Sequence, residues 1–454
     1  MQAATAVAST LRITASVAGK IKDVRLRPWL LFLIPLAVLA PHTSRPLTAQ
    51  TPETRIRDII ASPAFKQAAA FIEGDQDRFV RELITLTEIP APPFKEQRRA
   101  AAFLEMLRQH GLSDTEMDAE GNAMGLRRGG GGGAPGILVV SAHLDTVFPE
   151  GTDVKVKRQG TRLSAPGVGD DTRGLALILA LIRALDAGKF RTEYDVLFVG
   201  NVGEEGEGDL RGIKFLLHKG KYKDRIRQML VIDGNEPGGI TNGGVGSKRY
   251  RVTFKGPGGH SYSAFGLVNP AYAMAGAIAR LSRVHVPSSP KTTYSIGVVR
   301  GGTSVNSIPF EVSMDVDMRS VSCAALKKVD DGFHAILREA VTEENAARST
   351  KEGPIEADPK VIGERPCGET PRSAPIAQAA AAAITAFGVT PEYLTSSTDA
   401  NIPMSLGIPA ITIGRGGPGD RTHSLDEWTD VDPRANVINV QRVLALLLAV
   451  AGGR

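Results

Sequence analysis

Cysteine is almost missing from this chain. Of 454 residues only Cys323 and Cys367 are cysteines. Two thiols 44 positions apart make no stapled framework, so buried free thiols are expected. None lies near the N-terminus, which excludes a lipid-anchored cysteine there. A long hydrophobic run is lacking near the start: Trp29–Ala40 has 12 residues and contains Pro35, whereas a membrane span needs about 20. A basic surface is lacking too, despite a net charge of +5. Arg12, Lys20, Lys22, Arg25, Arg27 and Arg45 face the single acid Asp23 within residues 1–49, and account for the whole excess. The remainder is formally neutral and offers no basic stripe, so nucleic acid is not an expected partner. The glycine run Gly129–Gly133 lacks the Lys-Ser/Thr and helix of a P-loop and reads as a flexible loop.

What is present at the N-terminus is the layout of a secretory signal peptide. Basic residues Lys20 to Arg27 precede the short apolar run, and Leu47-Thr-Ala-Gln50 supplies small residues for cleavage after Ala49. Export to the periplasm or the medium is expected, without stable membrane insertion after cleavage. An uncleaved membrane anchor is the competing reading. Beyond this segment, 42% hydrophobic and 23% charged residues are ordinary for a globular protein. The length exceeds what one core usually serves, so two domains are expected.

Five separated stretches carry acids and imidazoles suited to divalent cations: His143-Leu-Asp145, Gly169-Asp170-Asp171, Gly203-Glu204-Glu205, Asp233-Gly234 and His423-Ser424. Four apolar runs, Ile137–Val140, Val196–Val199, Met229–Ile232 and Ala410–Ile413, precede candidates and read as buried strands. In an open α/β sheet, ligands collect just beyond the carboxyl ends of such strands. Imidazoles and carboxylates without thiolates suit a pair of Zn²⁺ ions, with Co²⁺ or Mn²⁺ as substitutes. His143 and Asp145 sit two apart at a strand end and point the same way. Asp145 would then fix the His143 tautomer. Acid pairs such as Glu204-Glu205 are usually solvated, but recurrence after successive strands favours a site. Asp426 and Glu427 read as surface acids.

These motifs resemble the dinuclear zinc metallopeptidases of the aminoacylase–carboxypeptidase family, which includes peptidase T and glutamate carboxypeptidase. Ser141-Ala-His-Leu-Asp-Thr-Val147, Ala165–Gly174 and Gly203-Glu-Glu-Gly206 are similar to its three metal motifs. Val231-Ile-Asp-Gly234 is closer to the peptidase T branch, since other branches place Glu where Asp233 stands. Gly256-Pro-Gly-Gly-His-Ser261 resembles the histidine motif of the family's lid. The likeness runs from about residue 53 to the C-terminus, with Thr172-Arg173 departing where many relatives carry Lys.

The resemblance implies Asp170 as a carboxylate bridging two ions, with a cis peptide to Asp171. It implies His143, Asp170 and Asp233 around one ion, and Asp170, Glu205 and His423 around the other. Glu204 would be the general base that takes the proton of a metal-bound water to leave a bridging hydroxide, and His260 would help stabilise the oxyanion. Asn306 and Arg319 would contact substrate. A small peptide or N-acyl amino acid is the implied substrate, and a homodimer through the lid the implied assembly. The activity favoured is a peptidase T-type aminopeptidase. A carboxypeptidase or N-acyl amino acid amidohydrolase is the alternative, and a non-catalytic metal- or peptide-binding protein the alternative of another class.

Residues 51–118 read as helices, with an apolar face at Phe79, Leu83, Ile84 and Leu86. From Ile137 strands alternate with helices, which predicts an α/β fold with a mixed, mostly parallel sheet flanked by helices. After Gly246 the pattern becomes β-α-β-β-α-β, resembling an inserted ferredoxin-like α+β lid. Glu311–Arg319 alternates at period two and puts Val312, Met314, Val316 and Met318 on one covered face. The expected divisions are a signal peptide at 1–49, a catalytic domain from 50–246 and 363–454, and a lid and dimerisation domain at 247–362.

Overall fold

The computed structural model describes residues 50–130 and 135–454. The signal peptide expected at 1–49, and part of the glycine run, lie outside the described residues. A nine-stranded sheet forms the centre of the larger body. Its middle is four parallel strands in the order Asp195–Asn201, Ile137–His143, Ile226–Ile232 and Ala410–Ile413. Antiparallel strands extend it on both sides, so the sheet is mixed, as expected.

Period-two geometry divides each apolar strand between two cores. Leu138, Val140 and Ala142 face one cluster, shared with the helices Gln76–Thr87, Thr172–Ala187 and Pro433–Ala451. Ile137 and Val139 face the other, shared with the helix Arg211–His218. Burial on both faces is why these strands read as continuous hydrophobic runs. The expectation of helix throughout residues 51–118 needs correction. Helices end at Arg108, and Ser113–Met117 is a strand paired with Ala123–Arg127. Its side chains are only partly buried, so no strong alternation marked it.

A second, four-stranded antiparallel sheet runs in the order Thr292–Gly301, Glu311–Ser320, Gly246–Lys255 and Glu356–Arg365. The helices Pro270–Leu281 and Cys323–Ala347 cover one face with a separate core. Val312, Met314, Val316 and Met318 all belong to that core, as their alternation predicts. The opposite face is polar: Arg249 pairs with Asp317 and Arg251 with Asp315 across adjacent strands.

Cys323 and Cys367 are joined as a disulfide, their Cα atoms 5.7 Å apart, which corrects the expectation of free thiols. The reason is tertiary. Cys323 opens the second helix, Cys367 follows the last strand, and Gly246 lies so close that an added Cβ would meet Cys367.

Candidate metal centre

Strand ends build the site. His143 closes its strand, Glu204 and Glu205 follow Asn201, and Asp233 follows Ile232. His423 comes from the loop after Ile413 and takes a positive φ of 66°. Asp170 stands just before the helix Thr172–Ala187, and its peptide to Asp171 is cis. His143, Asp170, Glu204 and Glu205 are all buried, whereas the His423 side chain is half-exposed.

The two ligand triads expected from the sequence are both assembled. Donor atoms of His143, Asp170 and Asp233 lie within 4.8 Å of one another, as do those of Asp170, Glu205 and His423. Asp170 is shared: its Oδ1 is 3.0 Å from His143 Nε2 and its Oδ2 3.2 Å from His423 Nε2. His423 Nε2 is also 2.7 Å from Glu205 Oε1. Each triad offers one imidazole and two carboxylates, a donor set that fits borderline divalent cations.

The electrostatics agree. Hydrogen bonds to Asp170 and Glu205 push His423 up to about 10. Burial opposes charge on His143, yet Asp145 and Asp170 hold it well above the ordinary histidine range. Burial likewise opposes charge on Asp170, but Arg415 and the two imidazoles hold it well below the carboxylate range. Both imidazoles face the acids across hydrogen-bond distances. Cation binding would displace their protons.

Asp145 has a different set of partners from the one expected. Its carboxylate accepts from the backbone N–H of Glu204 at 3.0 Å and of Glu205 at 2.8 Å. His143 Nδ1 is nearer the Asp145 backbone oxygen, at 3.1 Å, than its carboxylate, at 3.7 Å. Asp145 thereby orients the acidic pair as well as the imidazole.

Several contributors were missed in the sequence. Arg415, buried, donates to Asp233 Oδ1 at 2.8 Å and Asp170 Oδ1 at 3.1 Å. It follows the strand Ala410–Ile413 by two residues, the position that identified the other ligands. Arg365, also buried, donates to Glu204 Oε1 at 3.1 Å and to the Glu204 backbone oxygen. Asp399 is buried against Asn201 Nδ2 at 2.7 Å, and burial pushes it up to about 7. Glu427 corrects the surface reading: it is 1% exposed and accepts from the N–H groups of Gly167, Gly169 and Asp170. It ties down the loop that presents Asp170. Asp426 is the surface acid expected, paired with Arg421. Arg173, at the departure from the family pattern, is buried against Thr429, Asp430 and Asn436 and touches no ligand triad.

A cavity of about 630 Å³ opens over both triads. Arg249, Arg319 and Arg365 line it, so Arg319 reaches the site region. His260 and Asn306 do not line it. Both are exposed, on a two-stranded ribbon where Ser261 N–H donates to the Asn306 backbone oxygen at 2.9 Å. The ribbon is a two-stranded sheet separate from both larger ones, and its matching motif residues lie away from the cavity.

A family model for the peptidase family M20/M25/M40 matches residues 139–449. This chain belongs to that family. M20 membership makes it a metal-dependent hydrolase, and the ligand triads fit the two-metal chemistry typical of the family. Among curated relatives of this M20 chain, a probable carboxypeptidase of Aspergillus clavatus is 28% identical over 290 residues, 58% of this chain. The match spans only 61% of that relative's length. An acetylornithine deacetylase of Myxococcus xanthus is 25% identical, over 81% of this chain and 93% of the relative. Solved structures extend the M20 likeness in fold. The aminopeptidase PepT of Bacillus cereus superposes with a TM-score of 0.66 at 21% identity, covering 83% of this chain and 99% of that one. The YXEP protein of Bacillus subtilis, described as a dinuclear metal-binding M20 peptidase, gives 0.61 at 17% identity, covering 84% and 99%.

Proposed function

We propose that this M20 hydrolase is an exported, dinuclear zinc exopeptidase acting on small peptides, with an aminopeptidase of peptidase T type favoured. The observation that carries it is the pair of triads sharing Asp170, with Glu204 beside them at the wall of one cavity. His143, Asp170 and Asp233 would hold one ion, and Asp170, Glu205 and His423 the other. Bound ions would supply a water of lowered pKa and polarise the scissile carbonyl. Glu204 would act as the general base and acid, accepting a proton from the attacking water and passing it to the leaving amine. Burial pushes the Glu204 carboxyl well above the usual range while Arg365 opposes the shift. Asp145 keeps Glu204 and Glu205 in place through their backbone N–H groups.

The cavity volume, about 630 Å³, suits a di- or tripeptide. The aminopeptidase preference rests on Asp233 in the Val231–Gly234 motif. A second reading, hydrolysis next to a free carboxylate by a carboxypeptidase or N-acyl amino acid amidohydrolase, draws on Arg249 and Arg319. Arg249 and Arg319 each spend Nε on Asp317 and bring two positive charges to the cavity. The names of the two curated relatives support the same reading. Residues 247–362 would act as a lid and a homodimer contact, and residues 1–49 would direct export.

A panel of free and blocked di- and tripeptides and N-acyl amino acids, assayed with Zn²⁺, Co²⁺ and Mn²⁺, tests the proposal. Turnover that requires a free amine supports the aminopeptidase. Turnover that requires only a free carboxylate selects the second reading, and no metal-dependent turnover of any substrate defeats both.

A further inference from the structure

One cation in the buried cluster has no part in the ligand scheme. Arg415 is 2% exposed, and its Nη1 contacts carboxylates of both Asp233 and Asp170. Asp171 Oδ1 is a further 3.9 Å neighbour. Arg415 is not among the residues lining the cavity. Its backbone is anchored below the site: its N–H donates to the Gly234 oxygen at 3.1 Å, and its own oxygen accepts from Asn439 Nδ2 at 3.0 Å. The guanidinium therefore reaches the carboxylates from residues behind the cavity wall.

The contact is unequal between the triads. Two of three ligands in the His143 triad, Asp170 and Asp233, touch the guanidinium. In the other triad only the shared Asp170 does, and Glu205 and His423 pair with each other instead. Arg415 contacts the same Asp170 oxygen, Oδ1, that faces His143, and a fixed positive charge beside a ligand oxygen draws electron density from it and repels a divalent cation. An arginine also keeps that charge at every accessible pH.

We propose that Arg415 makes the two metal positions unequal, so that the ion held by His143, Asp170 and Asp233 binds more weakly and exchanges more readily than the ion held by Asp170, Glu205 and His423. When the weaker ion leaves, the guanidinium still compensates Asp170 and Asp233, and the buried acids are not stranded. This inference rests on the dinuclear reading above but not on any choice of substrate.

The test is metal binding without substrate. Metal-free full chain is titrated with Zn²⁺ against a chromophoric chelator, and with Co²⁺ by its absorption. The native protein is expected to fill two positions in separate steps. His423→Ala, which keeps the weaker position, should bind its single ion at least about tenfold more weakly than His143→Ala, which keeps the tighter one. Arg415→Met should tighten the weaker step by about tenfold, the scale of changes in groups that contact ligands, while Arg415→Lys should not. Equal steps in the native protein, equal affinities in the two histidine variants, or looser binding in Arg415→Met would overturn the inference. If Arg415→Met fails to fold, the histidine pair still decides. Absence of metal binding by the native protein would overturn the dinuclear reading as well.

Discussion

Arg365 donates a hydrogen bond from Nη1 to Glu204 Oε1 across 3.1 Å, with both side chains buried. Arg365 ends the last strand of the smaller sheet, whereas Glu204 follows a central strand of the larger one. The proposed base is thus held by the segment in which the chain returns from one sheet to the other. The same guanidinium reaches the Ser397 hydroxyl at 3.2 Å.

Arg365→Met is expected to lower kcat more than it changes KM, because the proposed base loses its positioning partner while the metal ligands remain. Arg365→Lys should recover part of the loss. Steady-state kinetics with metal content measured alongside would check this. A rise in KM alone would instead assign Arg365 to substrate binding.

Glu204→Gln should keep both metals and the fold while hydrolysis falls by about 10²–10⁴-fold, the usual contribution of a general base. Glu205→Gln should weaken one metal position and regain activity as Zn²⁺ or Co²⁺ is added. Metal titrations followed by amide hydrolysis separate the two. Rescue of the first variant and not the second would reverse the roles.

Glu427→Ala removes the acceptor of three buried backbone N–H groups in the loop that carries Asp170. Stranding buried donors costs about 1–3 kcal/mol each when no water replaces the partner. Thermal unfolding should therefore shift downward, and metal affinity should weaken at both positions because Asp170 serves both. Unchanged unfolding in the metal-free protein would remove Glu427 from this role.

His110 supplies a pH dependence away from the metals. Burial, with help from the charges of Arg183 and Arg78, pushes it from 6.5 down to about 4. Its Nε2 has no hydrogen-bond partner. The unfolded chain takes up a proton near 6.5 and the folded chain only near 4, so this contribution to stability is full above the upper value. It is lost as pH falls through that window. Urea midpoints at several pH values should fall faster for the native protein than for His110→Gln, and parallel curves would contradict the assignment.

Much of the site was legible because the signals were local. A parallel strand buried on both faces must be a short apolar run, and its carboxyl end is where acids and imidazoles can meet a cation. That singled out His143, Glu204, Glu205 and Asp233, and the motif likeness gave Asp170 its bridging role and His423 its place in the second triad. Likewise, period-two alternation was enough to name the covered face of Glu311–Ser320.

Arg365, Arg415, Glu427 and Asp399 were not legible, since a lone charged residue in a sequence looks solvated until something distant buries it. Arg365 lies 161 positions from Glu204, and Glu427 lies 257 from Asp170. Cys323 and Cys367 met for the same reason, through the order of strands in the smaller sheet. His260 and Asn306 show the converse, matching motifs that tertiary structure carries away from the cavity. Residue type and strand period determined which groups could bind metal. Packing between segments far apart in the chain decided which charges were buried against them, because desolvation depends on what surrounds a group in space.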